Sequence, residues 1–305
     1  MQQGLTAIKF MNRRQTISAL GWSAAGLLGG CSVGPGPGTA MDADTPRQVA
    51  SARRYPVAWC FSSGGPRGFV HVGVLKALHE LGLKPDLVMG SSVGALVGGL
   101  YAGGVYAGQL ESMAMQVSLS SLFRLHLRGE GWISIAGLAD LVNDDVHSQR
   151  LQQFAIPFAA VAKAQASGAL VAFNWGNAGL AVQAACSIEG RIAPVRIGGT
   201  AYVDADLVSP MPVRLAKSLG AIKVLAVDAS AYEDQAPPGA ESYRASDLRK
   251  RALTQADAAH ADLVLHPEFG YYTGASQEYR QRTIEAGYRQ TLQQAQALRA
   301  LHGLS

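Results

Sequence analysis

Ser92 stands at the centre of Gly90-Ser91-Ser92-Val93-Gly94, where the apolar run Leu87-Val88-Met89 stops and a run of small residues begins at Ala95. A hydroxyl flanked by glycines at a strand-to-helix junction has the pattern of a nucleophile on a tight turn. Gly90 and Gly94 remove Cβ atoms that would collide across the turn, and the side chain at its tip is pushed outward. The first amides of the new helix point at that tip, so negative charge developing beside Ser92 meets the positive helix end. Such a residue suits attack on a carbonyl. Gly-x-Ser-x-Gly also arises by chance in a chain with 35 glycines, and it is the flanking strand and helix that make it informative here.

The elements that must position Ser92 begin at Tyr55. Tyr55-Pro56-Val57-Ala58-Trp59-Cys60-Phe61 is a continuous apolar run of the kind a buried parallel strand shows. Ser62-Ser63-Gly64-Gly65-Pro66-Arg67-Gly68 follows, then a helical spacing from Phe69 to Leu81 closed by Gly82. Glycines between a strand and a helix leave backbone N–H groups free for whatever lies at the helix start. No Gly-Lys-Ser/Thr follows, and the glycine spacing is not that of a dinucleotide fingerprint. Leu83-Lys84-Pro85 turns the chain into the strand that delivers Ser92. A right-handed crossover between the two strands therefore opens both loops onto one crevice.

Ser63-Gly64-Gly65-Pro66-Arg67-Gly68, with His71 and Gly73-Val74-Leu75, followed by Gly90-Ser91-Ser92-Val93-Gly94-Ala95, resembles the bacterial patatin-like phospholipases. The resemblance runs from about residue 55 to 300. It implies that Gly64 and Gly65 donate their N–H groups to an oxyanion within a hole formed by the Gly64–Gly68 loop, that Arg67 braces this loop, and that Ser92 attacks. Thr200 to Val213 is similar to the family's segment carrying the catalytic aspartate, which falls on Asp204. A Ser-Asp dyad of this kind hydrolyses lipid esters with no histidine, cofactor or metal. Several residues depart from the family pattern. Ser63 replaces a glycine, Pro66 has no N–H to give, and Asp204-Ala205-Asp206 stands where Asp-Gly-Gly or Asp-Gly-Ala is usual. Glu189, Arg191 and Ala193 depart in the segment from Cys186 to Val195.

Two readings of Asp206 follow from its position two residues after Asp204. Close to Asp204, it raises the pKa of one carboxyl by like-charge coupling; on the opposite side of the strand, it faces solvent. Ser92, Asp204 and then His260 or His266 also occur in the order of an α/β-hydrolase triad, which is the rival enzyme reading. A third reading is an inactive envelope lipoprotein of the same fold. His71 is expected in the core or on a helix face, and Cys60 and Cys186 as buried small hydrophobes.

The rest of the chain sets the frame. Its 305 residues, 48% hydrophobic and 16% charged, suffice for one sizeable core. A net charge of +4 is spread without any run of Lys/Arg longer than two, which disfavours nucleic-acid binding. Three cysteines fit neither a disulfide framework nor a zinc spacing. Residues 1–31 read as an export signal ending Leu28-Gly29-Gly30-Cys31, which resembles a lipoprotein box with Cys31 as the lipidated residue. Arg13-Arg14 also resembles a twin-arginine signal. Residues 32–54 read as a tether, and 55–305 as the hydrolase domain. The expected place is the bacterial envelope, lipid-anchored on the periplasmic side of the outer membrane, with membrane lipid as the partner. The expected fold is a three-layer α/β/α sandwich with a mainly parallel central sheet, because apolar strand runs alternate with helical segments. Phe154–Ala162 and Ala169–Phe173 are expected as a hairpin-like pair, Tyr101 to His147 as amphipathic helix broken at Gly129-Glu130-Gly131 and Gly137, and Glu278 to Leu301 as one long helix.

Overall fold

The structure is a computed structural model that describes residues 42–126 and 133–304. Cys31 and the signal-like segment lie outside the described residues. In chain order the elements are β1 (Tyr55–Phe61), α1 (Phe69–Glu80), β2 (Leu87–Ser91), α2 (Val93–Ala102), α3 (Ala107–Gln116), β3 (Arg124–Leu125), β4 (Ile133–Ser134) and α4 (Ala136–Asp145). Then come β5 (Phe158–Ala164), β6 (Leu170–Phe173), α5 (Ala178–Cys186), β7 (Val195–Ile197), β8 (Thr200–Asp204), α6 (Val213–Ser218) and β9 (Ala221–Val227). Helix α7 (Glu241–Ala258), β10 (Leu263–Leu265), α8 (Gln277–Gln293) and α9 (Ala295–Leu301) complete the domain.

Eight strands form a central sheet in the order β10-β9-β1-β2-β5-β8-β7, with β6 paired to β5. From β10 to β5 the pairing is parallel; β6, β7 and β8 are antiparallel. Both faces of β1 are covered, which is why its sequence is a continuous apolar run rather than an alternation. Val57, Trp59 and Phe61 join a core with residues of α1, α2, α5, α8 and α9, while Ala58 and Cys60 join a second core with Met211 and α6. The three layers of the sandwich follow from these two cores. Helix α1 lies very close to α8. A Cβ on Gly73 would sit 1.9 Å from the Ile284 carbonyl oxygen, and one on Gly287 2.4 Å from that of Val70.

Register sets the site. Phe61 pairs with Gly90, so the loops that follow β1 and β2 leave the same end of the sheet. Ser91 pairs with Val161, and Ala162 with Asp204, so Ser92 and Asp204 flank β5 at one level. The hairpin β5–β6 is present as expected. Between α3 and α4, the described residues include a short antiparallel pair, β3–β4, in place of continuous helix. Nor is the C-terminal helix single, since Gln294 separates α8 from α9.

Residues 44–49, placed by sequence in the tether, lie along the domain. The Arg47 N–H donates to the Trp175 carbonyl at 3.1 Å, the Val49 N–H to Asn174 Oδ1 at 2.7 Å, and Asp44 pairs with Arg150 at 2.7 Å. Backbone bonds make no demand on side-chain pattern, which is why a polar stretch without periodicity docks here. No helix among the described residues is long and apolar enough to cross a membrane.

Candidate active site

Ser92 has φ 52°, and it is the only non-glycine residue with positive φ among the described residues. Such a conformation costs on the order of 1–3 kcal/mol and persists only where the surroundings impose it. Here backbone imposes it. A Cβ on Gly90 would lie 2.3 Å from the Gly94 carbonyl carbon, and one on Gly94 2.3 Å from the Phe61 oxygen. The turn is therefore pressed between its own first helical residues and the end of β1. Cys186 on α5 fixes it from the far side, its thiol donating to the Ser92 carbonyl at 3.0 Å.

The glycine loop packs on this turn. A Cβ on Gly68 would meet the Val93 side chain at 2.3 Å, so the short 3-10 turn Gly65–Gly68 reaches the residue next to Ser92. Among the described residues the Gly64 and Gly65 amides have no hydrogen-bond partner, whereas the Gly64 carbonyl accepts from the Arg67 N–H at 3.1 Å. Ser62 anchors the loop root. Its carbonyl accepts from His71 Nε2–H at 2.9 Å, and its Oγ accepts from the Ala229 N–H at 2.8 Å. Burial holds the His71 pKa down at about 4, so the ring is neutral here. Arg67 leads away from Ser92: its guanidinium donates to the Gly270 carbonyl at 3.2 Å and lies over the rings of Phe269 and Tyr271. It ties the loop to the segment before α8.

Asp204, buried at the end of β8, has a pKa raised to about 7, first by burial and further by Asp206; Ser92 and the Asp206 N–H pull it back down. The Asp206 N–H donates to Asp204 Oδ1 at 2.8 Å, while Oδ2 has no partner of regular hydrogen-bond geometry. Ser92 is thus near enough to favour the carboxylate without closing a regular bond to it. Bonds of this kind are often loose in an empty site and tighten on substrate. A buried carboxyl titrating near neutrality beside a strained serine can accept that serine's proton.

The departures from the family pattern have physical places. Ala205 is buried and has no positive φ, so the position does not need glycine. Glu189 pairs with Lys163 at 2.6 Å. Ser63 Oγ donates to Asp206, whose other oxygen pairs with Lys250 of α7 at 2.5 Å. Asp206 therefore neither faces open solvent nor stands beside Asp204 uncompensated. Lys250 escapes sequence reading, because a lysine on a polar helix carries no local signal. The triad histidines are not brought to Ser92. His260 is exposed, and His266 lies 3.3 Å from Asp228 and stacks on Tyr232 at 4.2 Å.

An apolar cavity of about 300 Å³ opens beside Ser92. Leu96, Leu100, Met113, Leu138 and Ile192 are among its lining residues, and Gly65 and Gly68 bound it on the loop side. On the other side of the loop is a polar hollow that includes Ser62, Ser63, Arg67, Asp228 and Lys250. No group of three His, Cys, Asp or Glu side chains among the described residues is placed to hold a metal ion.

Comparison with known proteins adds the family. A family model described as patatin-like phospholipase matches residues 59–217, just over half of the chain. An uncharacterized NTE family protein of Mycobacterium tuberculosis is 31% identical over 199 residues, covering 63% of this chain and 54% of that protein. The lysophospholipase nte1 of Emericella nidulans is 27% identical over 193 residues, 60% of this chain and 12% of its own. Patatin-like phospholipase domain-containing protein 6 of Homo sapiens is 26% identical over 186 residues, 58% of this chain and 14% of its own. The chain spans about half the length of the mycobacterial relative and a smaller part of the other two. The crystal structure of VipD from Legionella pneumophila superposes with a TM-score of 0.54 at 13% identity, over 85% of this chain and 71% of VipD, which is a likeness of fold.

Proposed function

The chain belongs to the patatin-like phospholipase family, and from that premise we propose that it is a lipid acyl hydrolase working through Ser92 and Asp204. The observation that carries this reading is the apolar cavity that reaches the strained serine and is bounded by Gly65, with the buried Asp204 carboxyl near enough to Ser92 to be favoured by it. Ser92 Oγ attacks the ester carbonyl carbon as its proton passes to Asp204. The Gly64 and Gly65 N–H groups hold the oxyanion. Collapse expels the alcohol, which takes the proton from Asp204. Water then gives a proton to Asp204, attacks the acyl-serine, and the fatty acid leaves as Ser92 regains its proton.

The cavity favours a long acyl chain over an acetyl group, which would leave it largely unfilled. Phe123 and Ile188 line the cavity and are 45% and 42% exposed. Leu125 and Ile133, paired across β3–β4, are 73% and 44% exposed and extend this apolar rim. An exposed apolar rim continuous with an apolar slot suits a substrate drawn from a lipid surface. For p-nitrophenyl esters, kcat/KM is expected to rise about fourfold per added methylene, from ~0.8 kcal/mol each, until the cavity is full. A flat series from acetate to decanoate would sink the lipid reading while leaving an esterase.

The envelope location belongs to the same proposal. Its support is the sequence order of basic residues, apolar run and Leu28-Gly29-Gly30-Cys31. Palmitate labelling in a bacterial host is expected for the full chain and absent in Cys31→Ala. Equal labelling of both would remove the anchor.

A further inference from the structure

Ser63 and Asp206 both stand where the family pattern has a small residue, and the fold brings them together from 143 positions apart. The Ser63 hydroxyl donates to Asp206 Oδ1, and Lys250 Nζ meets Asp206 Oδ2 at 2.5 Å. Two further bonds are donated by the backbone N–H groups of the same two residues. The Ser63 N–H donates to the Pro210 carbonyl at 2.8 Å, and the Asp206 N–H to Asp204 Oδ1 at 2.8 Å. Gly64 and Gly65 follow Ser63 directly, and Asp204 precedes Asp206 by two. One carboxylate therefore joins the loop that carries the free amides, the loop that carries the buried acid, and helix α7.

We propose that Asp206 is a positioning residue, a strut that with Ser63 and Lys250 fixes the oxyanion loop against the base loop and balances the charge felt by Asp204. The inference rests on the roles given above to Ser92, Asp204, Gly64 and Gly65. The two departures complement each other chemically. Ser63 is only 4% exposed, so its hydroxyl needs an acceptor, and Asp206 supplies it. A second carboxylate beside Asp204 disfavours ionisation of the base, and Lys250 offsets it. The Asp206–Lys250 pair keeps 21% and 28% of its two side chains exposed, and the cost of partly desolvating both charges offsets most of what their attraction adds to stability. Its value is geometric, because a misplacement of about 1 Å between a nucleophile and the groups that serve it costs on the order of 10²-fold in rate. The other groups facing this assembly are the Cys186 thiol from α5, Asp247 of α7 held by the Tyr271 hydroxyl, Asp228 held by His266, and Arg67 over its aromatic pair.

The test is the rate at which a fluorophosphonate labels Ser92 across pH, in the full chain, with substitutions that separate charge from shape. Asp206→Asn keeps an acceptor for Ser63 and removes the like charge, so the acid limb of the profile moves down by about half a pH unit. Lys250→Met leaves Asp206 uncompensated and moves the limb up by a similar amount, while Lys250→Arg, which keeps the charge, restores it. Ser63→Ala lowers the plateau rate about tenfold without moving the limb, and Ser63→Ala/Asp206→Ala costs no more than the worse single change. Limbs that stay fixed or move in the same direction in Asp206→Asn and Lys250→Met, or fully additive losses in the double variant, overturn the strut. Absence of Ser92 labelling in the wild type overturns the nucleophile assignment and the strut with it. Normal labelling with unmoved limbs overturns the strut alone.

Discussion

Replacing Ser92 with Ala is expected to abolish ester hydrolysis, by at least about 10⁴-fold in kcat, because the Cys186 thiol, the other nucleophile type among the described residues that line the cavity, is kept protonated by burial and donates its proton to the residue 92 carbonyl. Asp204→Asn is expected to do the same, since the amide cannot take the proton. His260→Ala and His266→Ala should stay within a few-fold of wild type, for neither ring is placed at Ser92. A collapse of activity in a folded His266 variant would move the argument to a triad. The aspartate also predicts a pH profile. Its carboxyl must be ionised to act, so activity rises with pH through about 7. The sign for stability is opposite. Between 3.8 and about 7 the native state holds a proton that the unfolded chain has released, so the contribution of Asp204 to stability falls as pH rises through that window. Asp204→Asn has no charge to bury. Thermal melts should therefore show the dead variant more stable than wild type at pH 8 and level with it near pH 3. A lower Tm for Asp204→Asn at pH 8 would mean that the buried carboxylate is favourably held, against this account of its burial.

Gly94→Ala is the second large effect. The new Cβ would lie 2.3 Å from the Phe61 oxygen and 2.6 Å from that of Ser62, and both obstacles are backbone at the end of β1. No side-chain rotation relieves such an overlap, so α2 must move away from the sheet and carry the Ser92 turn with it. The expected cost is about 2–4 kcal/mol in urea unfolding and at least about 10²-fold in kcat for the fraction that folds. Gly108→Ala provides the contrast. Its Cβ would meet only the movable Tyr106 ring, at 3.0 Å, on the surface helix α3. Within a helix that exchange should be neutral to stabilising by up to about 1 kcal/mol. Equal stability and activity for Gly94→Ala and wild type would show that the turn tolerates rearrangement and does not need its glycine.

The Ser92 turn and its two glycines are legible in the sequence because backbone passing within 2.3 Å of where a Cβ would stand excludes every other residue at Gly90 and Gly94, which leaves a mark at the positions themselves. The parallel strands are legible for a related reason, since burial on both faces leaves no alternation in β1 or β2. The β3–β4 pair is not legible, because two-residue strands are too short to show any period. Residues 44–49 are held through backbone atoms, the Asp44–Arg150 pair, the Gln48 side-chain carbonyl accepting from the Ala172 N–H, and Arg47 over the Trp175 ring, isolated polar contacts that leave no periodic pattern. Asp206 divides the two kinds of information. Sequence alone determines that a second carboxylate follows Asp204. Whether it repels the base, faces water or braces the opposite loop depends on Ser63 and Lys250, which arrive from 143 residues before it and from another helix. Electrostatic coupling depends on distance in space and on burial, so only the tertiary structure decided it.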